Sequence, residues 1–483
     1  MSDPNGRRRL RADGGAGNLD FATLAERFFE LEVDLSLLDR RIGGVFFWER
    51  IRFFVHKRIA SAHGIGASGG GGEDVEEYLR GTKLLLKNAV HRNPFLSSDA
   101  DLLFYGKGRR KRLDDGLWWD IYVDPIANEL DADPLCLERP YEVTHFTPAK
   151  TSQLRYTDLV QYAGTALEKL GVSRVALTPD ERELLGDVRE EIRGRFQVEV
   201  PLEEMVVEDL SLRRVRLPLY ERVIDRVEPN VAFLTAAYNG RETFVEACRR
   251  CGVPVVELQH GVLSQYHMGY SFPGRQKHVF PDYFFGFGEY WAEVADLPLP
   301  DNRFYAVGYP FLEHRSRSVE NRRDSDDLLV ISQPEVGESL ASFALELASR
   351  DDFGDEIFFK LHPKEFDGAE KRYANLVDSG ITLVREDPTL YELFGRCGDQ
   401  VGVSSTALYE GLSFGLDTYV VDLPGYEYMK PLLRIGCAER VSKPAEFHSS
   451  REATTATFER DYFFERNPIQ NFCRYVSEVR DEV

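Results

Sequence analysis

The feature that most constrains the fold is a regular alternation of short apolar runs with helical patterns between residues 231 and 421. Each run ends at a polar, glycine or proline residue, which is typical of a strand buried on both faces. Strands that are regularly separated by helices form parallel, doubly wound sheets. The predicted strands of this stretch are Val231–Leu234, Val255–Leu258, Tyr283–Phe287, Phe304–Val307, Leu328–Ile331, 357–361, Ile381–Val384, 400–403 and Tyr419–Val421.

An earlier strand, Leu102–Tyr105, opens the first α/β region, and helices are predicted at 152–170 and 180–196. Upstream, apolar and aromatic residues recur at helical spacing from Leu19 to Ala62. This pattern predicts an N-terminal helical extension, whose apolar stripe either packs on the first domain or faces a membrane or partner. The glycine-rich segment 1–18 is expected to be disordered, and residues 68–72 to form a flexible break.

Composition excludes several classes of function. A net charge of −21 and a pI near 5.1 argue against a general nucleic-acid partner. The six cysteines are scattered and form no disulfide framework, which favours a reducing compartment. No apolar run approaches the length of a membrane span, and no apolar region follows the arginines at 7–9. We therefore expect a cytoplasmic protein, either free or peripheral at the inner face of the membrane.

Polar side chains follow two of the predicted strands where each strand ends. His362 precedes Pro363, which cannot continue a ladder, so the histidine lies at the carboxyl end of its strand. Ser404, Ser405 and Thr406 follow the strand 400–403 and begin a helix that ends near Gly415. Unpaired N–H groups and the positive end of the dipole make a helix start of this kind a suitable place for a phosphate.

Each of these features also has a purely structural explanation. Serine and threonine are ordinary N-cap residues, and a His-Pro pair commonly ends a strand without binding a ligand. The two together are more informative, because the carboxyl ends of strands in one parallel sheet meet at the same edge. The pair therefore predicts that His362 and the 404–406 turn converge on one anionic group.

The His-Pro pair and the Ser-Ser-Thr turn resemble motifs of bacterial sialyl- and polysialyltransferases. They are also similar to those of capsule-polysaccharide transferases and CDP-glycerol glycerophosphotransferases. The resemblance covers residues 230–430 and implies a GT-B fold: two Rossmann-like domains that face a cleft. It implies that 99–300 is the acceptor domain, that 301–448 is the nucleotide-donor domain, and that helices in 449–483 cross back. Residues 1–98 hold the tail and the helical extension.

The resemblance also implies roles for residues of the second domain. Glu410, in the helix after the Ser/Thr turn, matches the acid that holds the nucleotide ribose in GT-B enzymes. Gln333 ends the strand Leu328–Ile331 and is a candidate nucleotide contact, or else part of a plain turn. Lys360 lies two residues before His362 and is a candidate phosphate contact, or else a surface lysine. A CMP- or CDP-linked donor follows only from the sialyl-type resemblance.

The first domain offers two candidates for the base. Gln259-His260-Gly261 resembles a stretch of capsule-type transferases, and His260 is either a general base or a hydrogen-bonded structural histidine. Asp115, in Asp114-Asp115-Gly116, matches the Asp/Glu-Asp/Glu-Gly motif of the sialyltransferase-like families, although such a turn needs no function. The basic segment 106–112 precedes it and either meets an anionic acceptor or is a solvated loop.

We therefore predict a glycosyltransferase of surface-glycan synthesis that moves a sugar from a nucleotide-activated donor to a polysaccharide or lipid-linked acceptor. No Asp-x-Asp motif lies at a strand end, so we expect chemistry without a metal, and we expect no bound cofactor. The alternatives are a glycerophosphotransferase, a nucleotide-sugar epimerase or hydrolase, and a non-catalytic nucleotide-sugar-binding protein.

Overall fold

A computed structural model describes residues 19–65, 81, 84–85, 87–130, 134–274, 276–317, 319, 327–447 and 460–482. The predicted disordered segment 1–18 and the predicted break 68–72 lie outside these residues. Two parallel sheets organise the described chain, and helices flank both. The helices are Phe21–Asp34, Trp48–Ala62, Asp124–Ala127, Asp158–Lys169, Pro179–Phe196, Leu202–Val227, Glu242–Arg250, Tyr290–Glu293, Pro310–Ser316, Gly337–Ala348, Ala369–Arg372, Ala374–Asp378, Leu390–Arg396, Thr406–Phe414, Lys430–Arg434 and Pro468–Asp481.

The first sheet has seven strands. In chain order they are β1 (Leu102–Gly106), β2 (Leu135–Glu138), β3 (Leu154–Tyr156), β4 (Val231–Leu234), β5 (Val255–Leu258), β6 (Tyr283–Gly286) and β7 (Phe304–Ala306). They pair in the spatial order 3-2-1-4-5-6-7, and every pairing is parallel. This is the doubly wound order of a Rossmann-like domain.

The second sheet has six strands. They are β8 (Leu328–Ile331), β9 (Ile357–Lys360), β10 (Thr382–Val384), β11 (Asp399–Gly402), β12 (Asp417–Val421) and β13 (Glu439–Val441). Their spatial order, 10-9-8-11-12-13, repeats the winding of the first sheet, again with parallel pairings throughout. The structure thus confirms the predicted fold class, an α/β, GT-B-like pair of Rossmann-like domains.

The strand Phe304–Ala306 lies on the other side of the domain boundary from its predicted place. A boundary between 300 and 301 assigned it to the second domain, but it pairs in parallel with β6, with Phe285 opposite Tyr305. The first sheet therefore extends past residue 300. The C-terminal helix contacts this edge strand, since the ring of Tyr475 lies 4.4 Å from that of Tyr305.

The N-terminal helices are part of the protein core. Phe28 and Trp48 are fully buried, and their cluster includes residues of the helices Pro179–Phe196 and Leu202–Val227. Inside the cluster Arg52 pairs with Glu32 at 2.7 Å. The apolar stripe seen in the sequence therefore packs on the first domain. Among the described residues, no helix is both long and apolar enough to cross a membrane.

An apolar cluster joins the two domains on one side. The Tyr290 hydroxyl of the first domain lies 3.1 Å from the Tyr409 hydroxyl of the second. Trp291 donates from Nε1 to the carbonyl of Phe463, so the tail after residue 459 is built into the same contact. Further along, Phe472 packs on the first sheet, 5.1 Å from the ring of Phe233. The tail thus returns from the second domain to the first.

Candidate functional site

Each sheet reverses its winding at one point, and the loops after the strands there are candidate site loops. In the second sheet the reversal lies between β8 and β11. Ligands of open α/β sheets bind outside the carboxyl ends of the strands at such a point. The residues that follow β8 and β11 there are Gln333 and Ser404, two of the predicted donor contacts.

Gln333 ties the two loops to each other. Its Oε1 accepts a 2.9 Å hydrogen bond from the amide of Ser404, and its Nε2 donates to the Ser404 carbonyl. Nε2 also lies 3.3 Å from Ser404 Oγ. The side-chain amide of Gln333 therefore fixes the distance between the loop after β8 and the 404–406 turn.

The 404–406 turn begins a helix and lies against the first domain. Ser405 is the N-cap of helix Thr406–Phe414 and accepts from the amide of Ala407 at 3.2 Å. A Cβ added at Gly261, beside His260, would lie 3.8 Å from Thr406 Oγ1. The two predicted site loops, one from each domain, therefore meet across the cleft.

His362 lies at the carboxyl end of β9, on the other side of Gln333 from the turn. The parallel register pairs Ile331 with Lys360 and Val330 with Val401, so His362, Gln333 and Ser404 leave the sheet at one level. Neighbouring strands lie about 4.8 Å apart, which puts the backbone of His362 about 10 Å from that of Ser404. This spacing suits a shared anion.

Two features fix the state of His362. Its Nδ1 accepts a 3.1 Å hydrogen bond from the amide of Lys364, which leaves Nε2 for a ligand. Partial burial, followed by the nearby charge of Arg109, lowers the pKa of His362. Arg109 belongs to the basic segment of the first domain, so its charge reaches the donor side of the cleft.

Glu365 holds the backbone of His362 in place. It is buried, and its carboxylate accepts from the His362 amide at 3.0 Å and from the Ser332 hydroxyl at 3.1 Å. The Tyr373 hydroxyl also donates to it at 2.5 Å. This one carboxylate thus connects the loops that follow β8 and β9.

Replacing Glu365 by glutamine is expected to lower the free energy of unfolding by about 2–4 kcal/mol, because the uncharged amide cannot accept from three buried donors. Urea unfolding measures the change. Glu346→Gln, on the exposed face of helix Gly337–Ala348, is the matched control and should change stability little. Equal midpoints for the two variants would contradict the bracing role of Glu365.

Lys360 holds a neighbouring loop. Its Nζ donates to the carbonyl of Pro388 at 2.8 Å and lies 3.2 Å from that of Glu386. Burial, followed by the charge of Lys111, lowers its pKa to about 8. The ammonium group is thus bound to backbone at the edge of the site, and its predicted contact with the donor stays a prediction.

Glu410 lies in the helix after the turn and is buried. The Tyr391 hydroxyl donates to it at 2.6 Å. Burial raises its pKa to about 7, although Tyr391 and the charge of Lys111 act in the opposite direction. Lys111 comes from the first domain, so this acid also lies at the cleft, where the predicted ribose contact would have to form.

His260 lies at the carboxyl end of β5 inside a chain of buried polar groups. Its Nδ1 is 3.1 Å from the Tyr270 hydroxyl, and its Nε2 is 3.3 Å from the Tyr238 hydroxyl. Tyr270 donates in turn to Glu257, a fully buried acid in the middle of β5. The Tyr122 hydroxyl donates to the His260 carbonyl at 2.7 Å.

These contacts select one tautomer of His260. Burial raises the pKa of Glu257 to about 7. Above that pH the ionised acid accepts the hydroxyl proton of Tyr270, so Tyr270 accepts from His260 and Nδ1 carries the proton. Nε2 is then unprotonated. Burial, followed by the charges of Lys107, His267 and Arg241, lowers the pKa of His260 well below its usual value, which keeps the imidazole neutral. A neutral histidine whose unprotonated Nε2 accepts only a long, 3.3 Å contact from the Tyr238 hydroxyl has the form of a general base.

Asp115 is held in a different environment. It lies in the turn of a short hairpin, and its carboxylate accepts from the amide of Leu117 at 3.0 Å and from Trp119 Nε1 at 3.1 Å. Lys150 Nζ is 3.7 Å away. Although desolvation opposes the shift, these partners lower the pKa of Asp115 and make it a weaker base. The geometry favours His260 of the two predicted bases.

No protein-family model and no curated protein sequence matches the chain. Many solved structures resemble it at low sequence identity, and three of them illustrate the range. UDP-GlcNAc 2-epimerase of Methanocaldococcus jannaschii, solved with UDP-GlcNAc and UDP, is 13% identical over 78% of this chain and 99% of that one, with a TM-score of 0.43. The spinosyn rhamnosyltransferase SpnG is 13% identical over 79% of this chain and 95% of its own, with a TM-score of 0.38. MurG of Acinetobacter baumannii is 11% identical over 79% of this chain and 99% of its own, with a TM-score of 0.40. Likeness at this level concerns the fold and does not indicate which reaction the chain catalyses.

Several residues that shape the cleft were not predicted from the sequence. Tyr122 comes from a loop of the first domain, and Tyr238 flanks the histidine. Glu257 had a usable signal, because an acid inside the apolar run Val-Val-Glu-Leu breaks the local pattern. The tyrosines gave no such signal.

Proposed function

We propose that the protein is a glycosyltransferase that moves a sugar from a nucleotide-activated donor to a hydroxyl of a glycan or lipid-linked acceptor. The observation that supports it most is the meeting of two unlike sites across one cleft. A neutral histidine faces the cleft from the first domain, and a hydroxyl-lined helix start faces it from the second. Transfer needs one group that takes a proton and another that stabilises a departing phosphate.

In the proposed reaction His260 Nε2 takes the proton of the acceptor hydroxyl, whose oxygen forms a bond to the anomeric carbon of the sugar. The bond between that carbon and the donor phosphate breaks, and the nucleotide leaves with the electron pair. The negative charge that grows on the phosphate is met by Thr406 and His362. Preorganised donors of this kind act most strongly on charge that develops in the transition state.

Nucleotide binding provides the first test. A thermal-shift screen with nucleoside mono- and diphosphates should find a nucleotide that binds. At one hundred times its dissociation constant, this nucleotide should stabilise the folded protein by about 2.7 kcal/mol. Thr406→Val, which keeps the branched shape and removes the hydroxyl, should weaken that binding by roughly tenfold. Thr382→Val, on β10 of the same domain, is the control and should bind as the wild type does. Failure of every nucleotide to bind would overturn the proposal.

The alternatives make different products. An epimerase or hydrolase acts on the donor alone, so incubation with donor and analysis of the sugar separates these enzymes from a transferase. A glycerophosphotransferase would release CMP and pass a polyol phosphate, not a sugar, to the acceptor. A binding protein would retain the donor unchanged. Sugar transfer that requires an added acceptor is the expected result.

A further inference from the structure

Lys107 and Arg139 follow β1 and β2 directly, and Arg241 lies beyond β4, at the start of helix Glu242–Arg250. These three basic residues are termed the cation cluster. The three strands are neighbours at the point where the first sheet reverses its winding. Within the described residues, no carboxylate lies within 4.0 Å of the charged nitrogens of these three side chains. In a chain with a net charge of −21, this concentration of positive charge is unusual.

Arg241 forms the base of the cluster. It is 1% exposed, and its guanidinium donates to the carbonyls of Gly106 and Thr235 and lies 4.8 Å from the Tyr105 ring. Its Nε and the buried Thr235 Oγ1 have no hydrogen-bond partner among the described residues. Burial lowers the pKa of Arg241, but a guanidinium stays protonated in proteins, so the loops around it lie in a positive field.

The cluster accounts for only part of the basic segment 106–112. Arg110 is already paired with Glu138 at 2.5 Å, and Arg112 Nε lies 3.3 Å from the Gly116 carbonyl. Lys111 lies 6.0 Å from the ring of Tyr391, across the cleft. Of these basic residues, Lys107 lies at the reversal point and is half-buried. The loop of Arg139 packs closely against it, because a Cβ built at Gly108 would lie 2.4 Å from the Arg139 carbonyl oxygen.

The charges around Lys107 do not cancel. The cations that act on it are Arg241, Arg109 and Arg139, and the opposing acid is Asp120. Asp120 accepts from the backbone amides of Lys107 and Tyr122, each at 3.1 Å. Burial and the neighbouring arginines lower the pKa of Lys107 to about 8. The ammonium is therefore charged at neutral pH, although the positive charges around it repel it.

Resting on the proposed function, we infer that the cation cluster binds an anionic oxygen group of the acceptor, a phosphate or a carboxylate, beside His260. Lys107 and Arg139 make the direct contacts, and Arg241 supplies charge from behind. Because Lys107 and Arg241 both act on His260, the bound anion offsets their field and makes the imidazole a stronger base. The acceptor thereby helps to activate the residue that deprotonates it.

Calorimetric titration tests the cluster without knowledge of the acceptor. Sodium sulfate serves as the tetrahedral probe and sodium acetate as the carboxylate probe, both at constant ionic strength. Wild type should bind at least one of them, and Lys107→Gln or Arg139→Gln should weaken binding about tenfold or more, as loss of a charge-assisted hydrogen bond requires. Arg112→Gln removes an exposed charge from the same segment and should leave binding unchanged. The probe that binds more tightly shows whether the site prefers a phosphate-like or a carboxylate group.

A further variant separates this site from the donor site. His362→Ala should retain sulfate or acetate binding, because His362 lies on the other domain. Binding that is lost in His362→Ala but kept in Lys107→Gln would overturn the inference and place the anion at the donor turn. Wild type that binds neither probe would also overturn it, while nucleotide binding would leave the proposed function standing. Equal weakening by Arg112→Gln would indicate an adventitious ion only.

The pH dependence gives an independent readout. Sulfate does not change charge in the neutral range, so a fall in its affinity reports loss of protons from the protein. Since the pKa of Lys107 is about 8, affinity should be constant below that pH and fall above it. The same titration in Lys107→Gln should show no such fall. A fall that persists in the variant would contradict the assignment.

Discussion

Replacing His260 by alanine is expected to reduce sugar transfer by roughly 10³-fold, within the 10²- to 10⁴-fold range of general acid–base catalysis. The reason is geometric, because His260 Nε2 is the unprotonated nitrogen at the cleft. Donor affinity should change little, since the donor turn lies on the other domain. The measurement is kcat with saturating donor together with the dissociation constant of the nucleotide. Near-normal turnover in His260→Ala would remove this residue from the chemistry.

The rate of sugar transfer by the wild-type enzyme should fall on the acidic side of its pH profile. A base works only when it is unprotonated, so the rate falls once the pH drops below its pKa. Burial and neighbouring positive charge hold the pKa of His260 below 6.5, so protonation of His260 itself should reduce the rate only below that pH, whereas Glu257, whose pKa burial raises to about 7, titrates above it. Tyr270→Phe removes the hydroxyl that fixes the tautomer and should lower kcat without changing donor affinity. Asp115→Asn, in contrast, should retain most of the activity.

The second large effect is expected at His362. His362→Ala should lower kcat by roughly 30- to 1000-fold, corresponding to the 2–4 kcal/mol that one donor to a developing charge contributes. The alanine also removes the cap that His362 Nδ1 provides to the amide of Lys364. The loss of activity therefore has to be separated from a local loss of structure.

Asparagine makes that separation. His362→Asn keeps an acceptor for the Lys364 amide but lacks the imidazole Nε2. Both variants should lose turnover to a similar degree, whereas only His362→Ala should lose stability, by about 1 kcal/mol. If His362→Asn transfers sugar at the wild-type rate, His362 is a structural cap, and the phosphate is stabilised by other groups.

The fold was largely predictable because its strands are apolar and regularly spaced. The strands around the second site, such as Leu328–Ile331, have the predicted bounds to within a residue or two. The strands Leu135–Glu138 and Leu154–Tyr156 were not predicted, because they are short and the second was absorbed into a helix predicted from 152 to 170. Helix Leu202–Val227 was not predicted either, because Pro218 and many charges interrupt its apolar pattern.

The candidate site was predictable only in part, and for a physical reason. His260, His362 and the 404–406 turn lie directly after strands, so local pattern places them at the sheet edges. The Tyr270 contact to His260 depends on how a loop folds back over β5, and sequence spacing does not encode that path. The same holds for Arg109, whose charge reaches His362 only because the two domains face each other.

The apolar cluster that joins the domains determines how the cleft can move. Tyr290, Tyr409 and Phe463 are buried together on one side, and separating them would expose a large apolar surface to water. Phe21 of the N-terminal extension also contacts Tyr428 of the second domain, with the two rings 4.5 Å apart. The two domains should therefore open by rotating about these aromatic contacts, which stay closed, and not by separating from each other.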